Sequence, residues 1–207
     1  MSVPRLNIEK IRKAIQNSIP LSITTYTLPQ EMELYMAEIL MAFLKELKQE
    51  GMSEYLVYCL SELTTNAKKA NTKRVYFKEK NLNIKNVADY EKGMETFKSD
   101  MLENIKHYLQ LQEKAGYYIK LIFQSRFNKI KMEVRNNVDL TFFEYKRIHD
   151  KITRAGQFSS IEEAFLQSLD DTEGAGLGII IMILMLKKIG LTGQNFQIFT
   201  ENGETVA

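Results

Sequence analysis

Apolar residues recur every three or four positions over most of the chain and alternate in only a few short stretches. Ile8, Ile11 and Ile15 predict a short helix over 7–19, ended by Pro20. A Thr-rich link, 22–27, leads to Pro29, which suits the first turn of a second helix ending near Glu50 and Gly51. Met32, Tyr35, Met36, Ile39, Leu40, Phe43 and Leu47 form its apolar stripe, to be buried on the rest of the chain or on a second copy. Leu56, Cys59, Leu60, Leu63, Ala67 and Ala70 predict a third helix over 53–71, followed by a short strand at 74–77. Residues 83–114 are mostly charged and helical in period, with Tyr90, Met94, Phe97, Met101, Tyr108 and Leu111 on the repeat. Residues 117–125 and 130–134, the latter alternating, are joined by Phe127, Asn128 and Lys129 and predict an antiparallel hairpin. A polar stretch, 139–171, reads as helical in pieces, and a strongly apolar helix follows Gly176.

A strand at 196–200 and the two-residue turn Asn202–Gly203 close the sequence. Helices and antiparallel strands in this order predict an α+β fold, a two-layer α/β sandwich with helices on one face of a mixed sheet. Ala207 lies only four residues past Gly203. The expectation is therefore that the sequence stops inside its last strand, or that the natural protein continues.

Composition narrows the function classes. With 207 residues and 44% hydrophobic content, the chain can bury one substantial core plus additions. Its 28 basic and 26 acidic residues nearly cancel and are scattered, which argues against nucleic acid or an acidic membrane as partner. The single cysteine, Cys59, excludes an internal disulfide framework and falls on an apolar helix face, where core packing explains it. Residues 1–13 hold no apolar run of a secretory signal. The most hydrophobic stretch, 177–186, is about half the roughly 20 residues of a membrane span. A cytoplasmic protein without a membrane span is expected.

Two segments carry candidate chemistry. Glu62, Asn66 and Lys69 lie at i, i+4 and i+7 on the third helix and share one face. An amide oxygen can ligate Mg²⁺, a carboxylate can orient water or take a proton, and an ammonium neutralises phosphate. An ordinary amphipathic helix with solvated polar residues would show the same face. The second segment is Glu173-Gly174-Ala175-Gly176-Leu177-Gly178, leading into the apolar helix. Alternate glycines let backbone amides approach a ligand, and a helix N-terminus after them favours phosphate. A glycine turn entering a buried helix is the plain alternative. Neither the Walker nor the Rossmann spacing is present.

Together these segments resemble the GHKL superfamily, the ATP-binding fold shared by histidine kinases, gyrase and the heat-shock chaperones. Glu62-Leu63-x-x-Asn66-Ala67-x-Lys69 is similar to its N box, and Gly174-x-Gly176-Leu177-Gly178 to its G2 box. The G1 box corresponds to Val134-Arg135-Asn136-Asn137-Val138, with Asn136 in place of the family's adenine-reading Asp and Val138 in place of its glycine. The resemblance covers residues 51–207, leaving 1–50 as an N-terminal helical segment, 83–114 as a helical insertion and 139–171 as a lid. It implies the histidine-kinase-like (Bergerat) ATPase fold with ATP and Mg²⁺ as cofactors. Glu62 would be the catalytic base, Asn66 the Mg²⁺ ligand, and Lys69, Gly174, Gly176, Leu177 and Gly178 the phosphate grip. Asn136 and Val138 would meet the base.

An amide can turn either end toward a base, so Asn136 predicts weaker discrimination between ATP and GTP than an Asp would give. The phospho-accepting His of the kinases has no counterpart in position: His107 falls in the insertion and His149, followed by Asp150, in the lid. The implied function is a regulatory protein kinase or ATP-gated switch acting on a protein partner or substrate, with a homodimer left open. Two alternatives stand beside it. One is a degenerate domain that binds nucleotide weakly or not at all and works as a protein-interaction module; the other is a purely structural helical partner.

Overall fold

A computed structural model describes residues 5–127, 129–168 and 177–207. Five strands form one sheet: β1 (Leu21–Thr25), β2 (Ile119–Arg126), β3 (Lys129–Asn136), β4 (Phe199–Glu201) and β5 (Glu204–Val206). Their order is β1-β2-β3-β5-β4. Every neighbouring pair is antiparallel, with Leu121 beside Ile23 and Val134, so the sheet is not the mixed one expected. The link expected at 22–27 is in fact strand β1. Its alternating Leu21, Ile23 and Thr25 suit a pleated edge that the eye reads as a polar loop.

Eight α-helices are described: α1 (Ile8–Gln16), α2 (Gln30–Glu46), α3 (Ser53–Glu79), α4 (Val87–Glu103), α5 (Ile105–Lys114), α6 (Phe142–Ala155), α7 (Ile161–Ser168) and α8 (Leu177–Lys188). One sheet face, carrying Leu21, Leu121, Phe123 and Val134, shares a core with Met36, Leu40 and Phe43 of α2, Leu60 and Leu63 of α3, and Met182 and Ile183 of α8. Alternation along β2 sends Lys120, Ile122 and Gln124 to the opposite face, which stays partly exposed. The mixed helix–sheet class expected from sequence is present, as an α+β arrangement.

Helix α8 is apolar on all sides, so it must be surrounded, and it lies against α3, α6 and α7. Among the described residues, no helix is long and apolar enough to cross a membrane. The stripe of α2 is buried within this chain, against α1 and α3. The hairpin β2–β3 forms as its alternation predicts, and Asn202 and Gly203 take left-handed φ of 52° and 78°, as a two-residue turn of this kind requires.

The expected strand at 74–77 is absent, because α3 continues through it to Glu79. Val75, Tyr76 and Phe77 look like a strand by propensity, but helical spacing lets all three enter a second core with Tyr90, Met94 and Phe97 of α4 and Tyr108 of α5. Thr64 and Thr72 are accommodated in mid-helix by bonding their hydroxyls back to Leu60 and Lys68 carbonyls, both at 2.8 Å. The insertion at 83–114 is thus a pair of helices clamped on the C-terminal half of α3. Gly93 permits the clamp: a Cβ there would lie 2.5 Å from Phe77 Cζ. Gln112 ties α5 to α3 and to the segment after β1, accepting from Thr72 Oγ1 (3.1 Å) and donating to the Tyr26 carbonyl (2.7 Å).

Candidate functional site

Glu62 and Asn66 stand one turn apart on α3, where Asn66 Nδ2 donates to Glu62 Oε1 at 2.7 Å. The donor end of the amide is thereby committed to the carboxylate, which leaves Asn66 Oδ1, a hard oxygen, as the ligating end. Lys69 lies on the same helix with its side chain exposed. Its neighbour Lys68 is instead tied down, donating to the Leu28 carbonyl at 3.0 Å.

The start of α8 comes directly onto this group. At Gly178, an added Cβ would overlap the carboxyl carbon and both carboxylate oxygens of Glu62. The absence of a side chain at residue 178 is what lets the carboxylate lie there; no unusual backbone torsion is involved. A carboxylate, an amide oxygen and the first turn of a helix, from segments more than a hundred residues apart, converge at one place. Leu177 is the first residue of that helix and is half-buried. Gly174 and Gly176 lie outside the described residues.

The segment compared with the G1 box, residues 134–138, sits at the end of β3, packed on the same helix further along. Asn136 is 3% exposed, and its Nδ2 donates to Asn71 Oδ1 at 3.0 Å. Asn71, fully buried, passes its own Nδ2 to the Tyr118 carbonyl at 3.0 Å. Asn137 braces the strand start, accepting from the Tyr118 amide (2.7 Å) and donating to the Gly116 carbonyl (3.0 Å). Val138 is buried, and its carbonyl accepts from Thr205 Oγ1 at 2.6 Å. Nine residues separate Glu62 from Asn71, which is roughly 13 Å along a helix axis. The carboxylate end and the Asn136 end are therefore well separated and are joined by one continuous helix.

Beyond Val138, the chain is pinned back to α3. Glu144 opens α6, whose N-terminus is capped by Thr141 in a reciprocal box with Glu144. Its carboxylate takes Arg74 Nη1 at 2.8 Å and Nη2 at 2.6 Å, with Lys73 Nζ at 3.3 Å. Arg74 Nη2 also donates to the Asp139 carbonyl at 2.6 Å. Burial pulls the Glu144 carboxyl upward, but the Arg74 hydrogen bonds and the charges of Lys73 and Arg74 outweigh it and hold the pKa at about 2.

Sequence reading missed Asn71, Arg74 and Glu144. Their pairings span up to 71 positions, so no local pattern announces them. Cys59 is a core thiol, pushed up to about 12 by burial, and inert on that account. His107, on the insertion, pairs with Glu79 at the end of α3, and the Nε2 of His149 is buried on α6 beside the Tyr145 ring. A shallow hollow lined by Pro20, Ile122, Gln124, Lys131 and Glu133 contains none of the candidate residues.

The chain is 48% identical over 202 residues, 98% of its length, to an uncharacterized protein of Treponema pallidum (strain Nichols). It spans 39% of the length of that relative. No protein family and no solved structure is matched.

Proposed function

We propose that this chain is a Mg·ATP-binding domain of the histidine-kinase-like ATPase type, serving as a regulatory kinase or an ATP-gated switch on a partner protein. The observation that carries the reading is the seating of Gly178, at the start of α8, directly on the Glu62 carboxylate beside Asn66. The chain order of the described parts supports it as well: N-box helix, hairpin, Asn136, α6 and α7, then α8. Bound Mg²⁺ would screen the phosphate charge and align it. Asn66 Oδ1 would offer it a hard oxygen of the kind that cation takes.

Each residue then has a task that its surroundings permit. Glu62 orients or deprotonates a nucleophile, helped by the amide that fixes one of its oxygens. Backbone amides at the start of α8 face phosphate, with the helix dipole adding to the attraction. Lys69 supplies a mobile positive charge from the exposed side of α3. Asn136 meets the base, and because it is covered, a base reaches it only after neighbouring chain moves aside. Residues 139–171, of which 139–168 are described, would be the lid in this account, with Glu144 holding the start of α6 to Arg74.

A second reading draws on the same burial. Asn136 and Val138 are both covered and both bonded within the fold. A domain whose base-binding strand end is filled in this way would work as an interaction module, the insertion and α1–α2 offering the surfaces. Titration with ATP in the presence and absence of Mg²⁺ separates the two readings.

A further inference from the structure

Asn136 stands alone in the sequence as an amide where a carboxylate is expected, and alone it could turn either end outward. In the fold it cannot. The Tyr118 carbonyl only accepts, so Asn71 must present Nδ2 to it and Oδ1 to Asn136. That oxygen in turn requires a donor, which fixes Asn136 with Nδ2 inward and leaves Oδ1 as the end for a ligand. Turning the Asn136 amide over would set two acceptors against each other in a buried place, at the cost of an unsatisfied pair. The direction of the chain of bonds starts at a backbone carbonyl and is not adjustable.

We infer that Asn71 is a specificity-determining positioning residue: it locks Asn136 as an acceptor, so that the site selects a purine with a donor at position 6. This rests on the nucleotide-binding reading above. The locked amide behaves toward a base as a carboxylate does, without its charge. Adenine carries an amino donor at position 6; guanine and hypoxanthine carry a carbonyl there, which would face Asn136 Oδ1 acceptor to acceptor. The weaker discrimination predicted from the freely turning amide is replaced by firm discrimination.

Competition binding to the full chain with Mg²⁺ uses three triphosphates that differ at position 6. ATP has a donor, purine riboside triphosphate has nothing, and inosine triphosphate has an acceptor. Affinity is expected to fall in that order, with ATP preferred over the inosine form by about tenfold or more. Equal binding of ATP and the inosine form by the wild type overturns the inference and leaves the nucleotide-binding reading standing. Binding of none of the three removes that reading, and the inference with it. Asn71→Leu deletes the lock, and the preference for ATP is expected to shrink severalfold while ATP still binds. Full preference retained in that variant overturns the role of Asn71. Asn71→Ala removes both bonds without adding bulk, so full preference retained in a folded Ala variant overturns the inference even if the Leu variant does not fold.

Discussion

Gly178 sits directly against the Glu62 carboxylate: a methyl group at residue 178 would overlap the carboxyl carbon and both of its oxygens. The obstructing atoms are the far end of a flexible side chain, so Gly178→Ala should move Glu62 rather than unfold α8. The alanine also favours the helix by up to about 1 kcal/mol relative to glycine. Thermal stability should change little, while phosphate turnover falls to the level of Glu62→Gln, which keeps the shape but cannot accept a proton. Melting curves and phosphate-release rates on both variants check this. A Gly178→Ala protein with unchanged turnover would remove Glu62 from the chemistry.

Glu144 predicts how the fold responds to acid. Its carboxyl is held at about 2 against an ordinary value of 4.5, so the folded state favours the charged form. Its contribution is whole above about pH 4.5 and fades as pH falls toward 2, since the unfolded chain takes up the proton first. The shift corresponds to something on the order of 3 kcal/mol. Glu144→Gln should therefore lower stability near neutral pH and flatten its decline between pH 5 and roughly 2, measured by denaturant unfolding across that range. A wild type and variant that lose stability in parallel would contradict the lock on α6.

Gly93→Ala tests the insertion separately from the proposed nucleotide site. The added methyl would press on Phe77, whose ring is 1% exposed and packed edge-on against Tyr76 and over Tyr90. Overpacking of this kind costs about 1–3 kcal/mol, partly offset by the better helix propensity of alanine. Unfolding midpoints should fall while ATP affinity per folded molecule holds. A drop in affinity without loss of stability would place the insertion in the binding site.

Much of the fold was legible because its signals are local. The apolar run of α8, the alternation of β2 and β3, and Asn202–Gly203 each state their structure within a dozen residues. The errors lie where partners far along the chain decide. Val75, Tyr76 and Phe77 carry strand propensity, yet α4 and α5 hold them as helix. Thr24 and Thr25 look like a polar link until β2 supplies the hydrogen bonds. At the candidate site, the pairing of Glu62 and Asn66 follows from a spacing of four, whereas the seat of Gly178 on Glu62 and the bond from Asn136 to Asn71 exist only after folding. Asn136 read by itself is an ambiguous amide; bonded to Asn71 it has one orientation.

The central claim is that Asn66, with Glu62 and the start of α8, holds a magnesium–nucleotide complex. Isothermal calorimetry of ATP binding, with Mg²⁺ and with chelator, on the wild type and Asn66→Ala tests it most directly. Asn66 is half-exposed, so the alanine variant should fold, and circular dichroism verifies that it does. The account predicts wild-type binding that depends on Mg²⁺ and weakens by about tenfold or more in Asn66→Ala, one lost ligand contact being of that order. Equal affinity of the two proteins with or without Mg²⁺, or no heat of binding from the wild type, would contradict it.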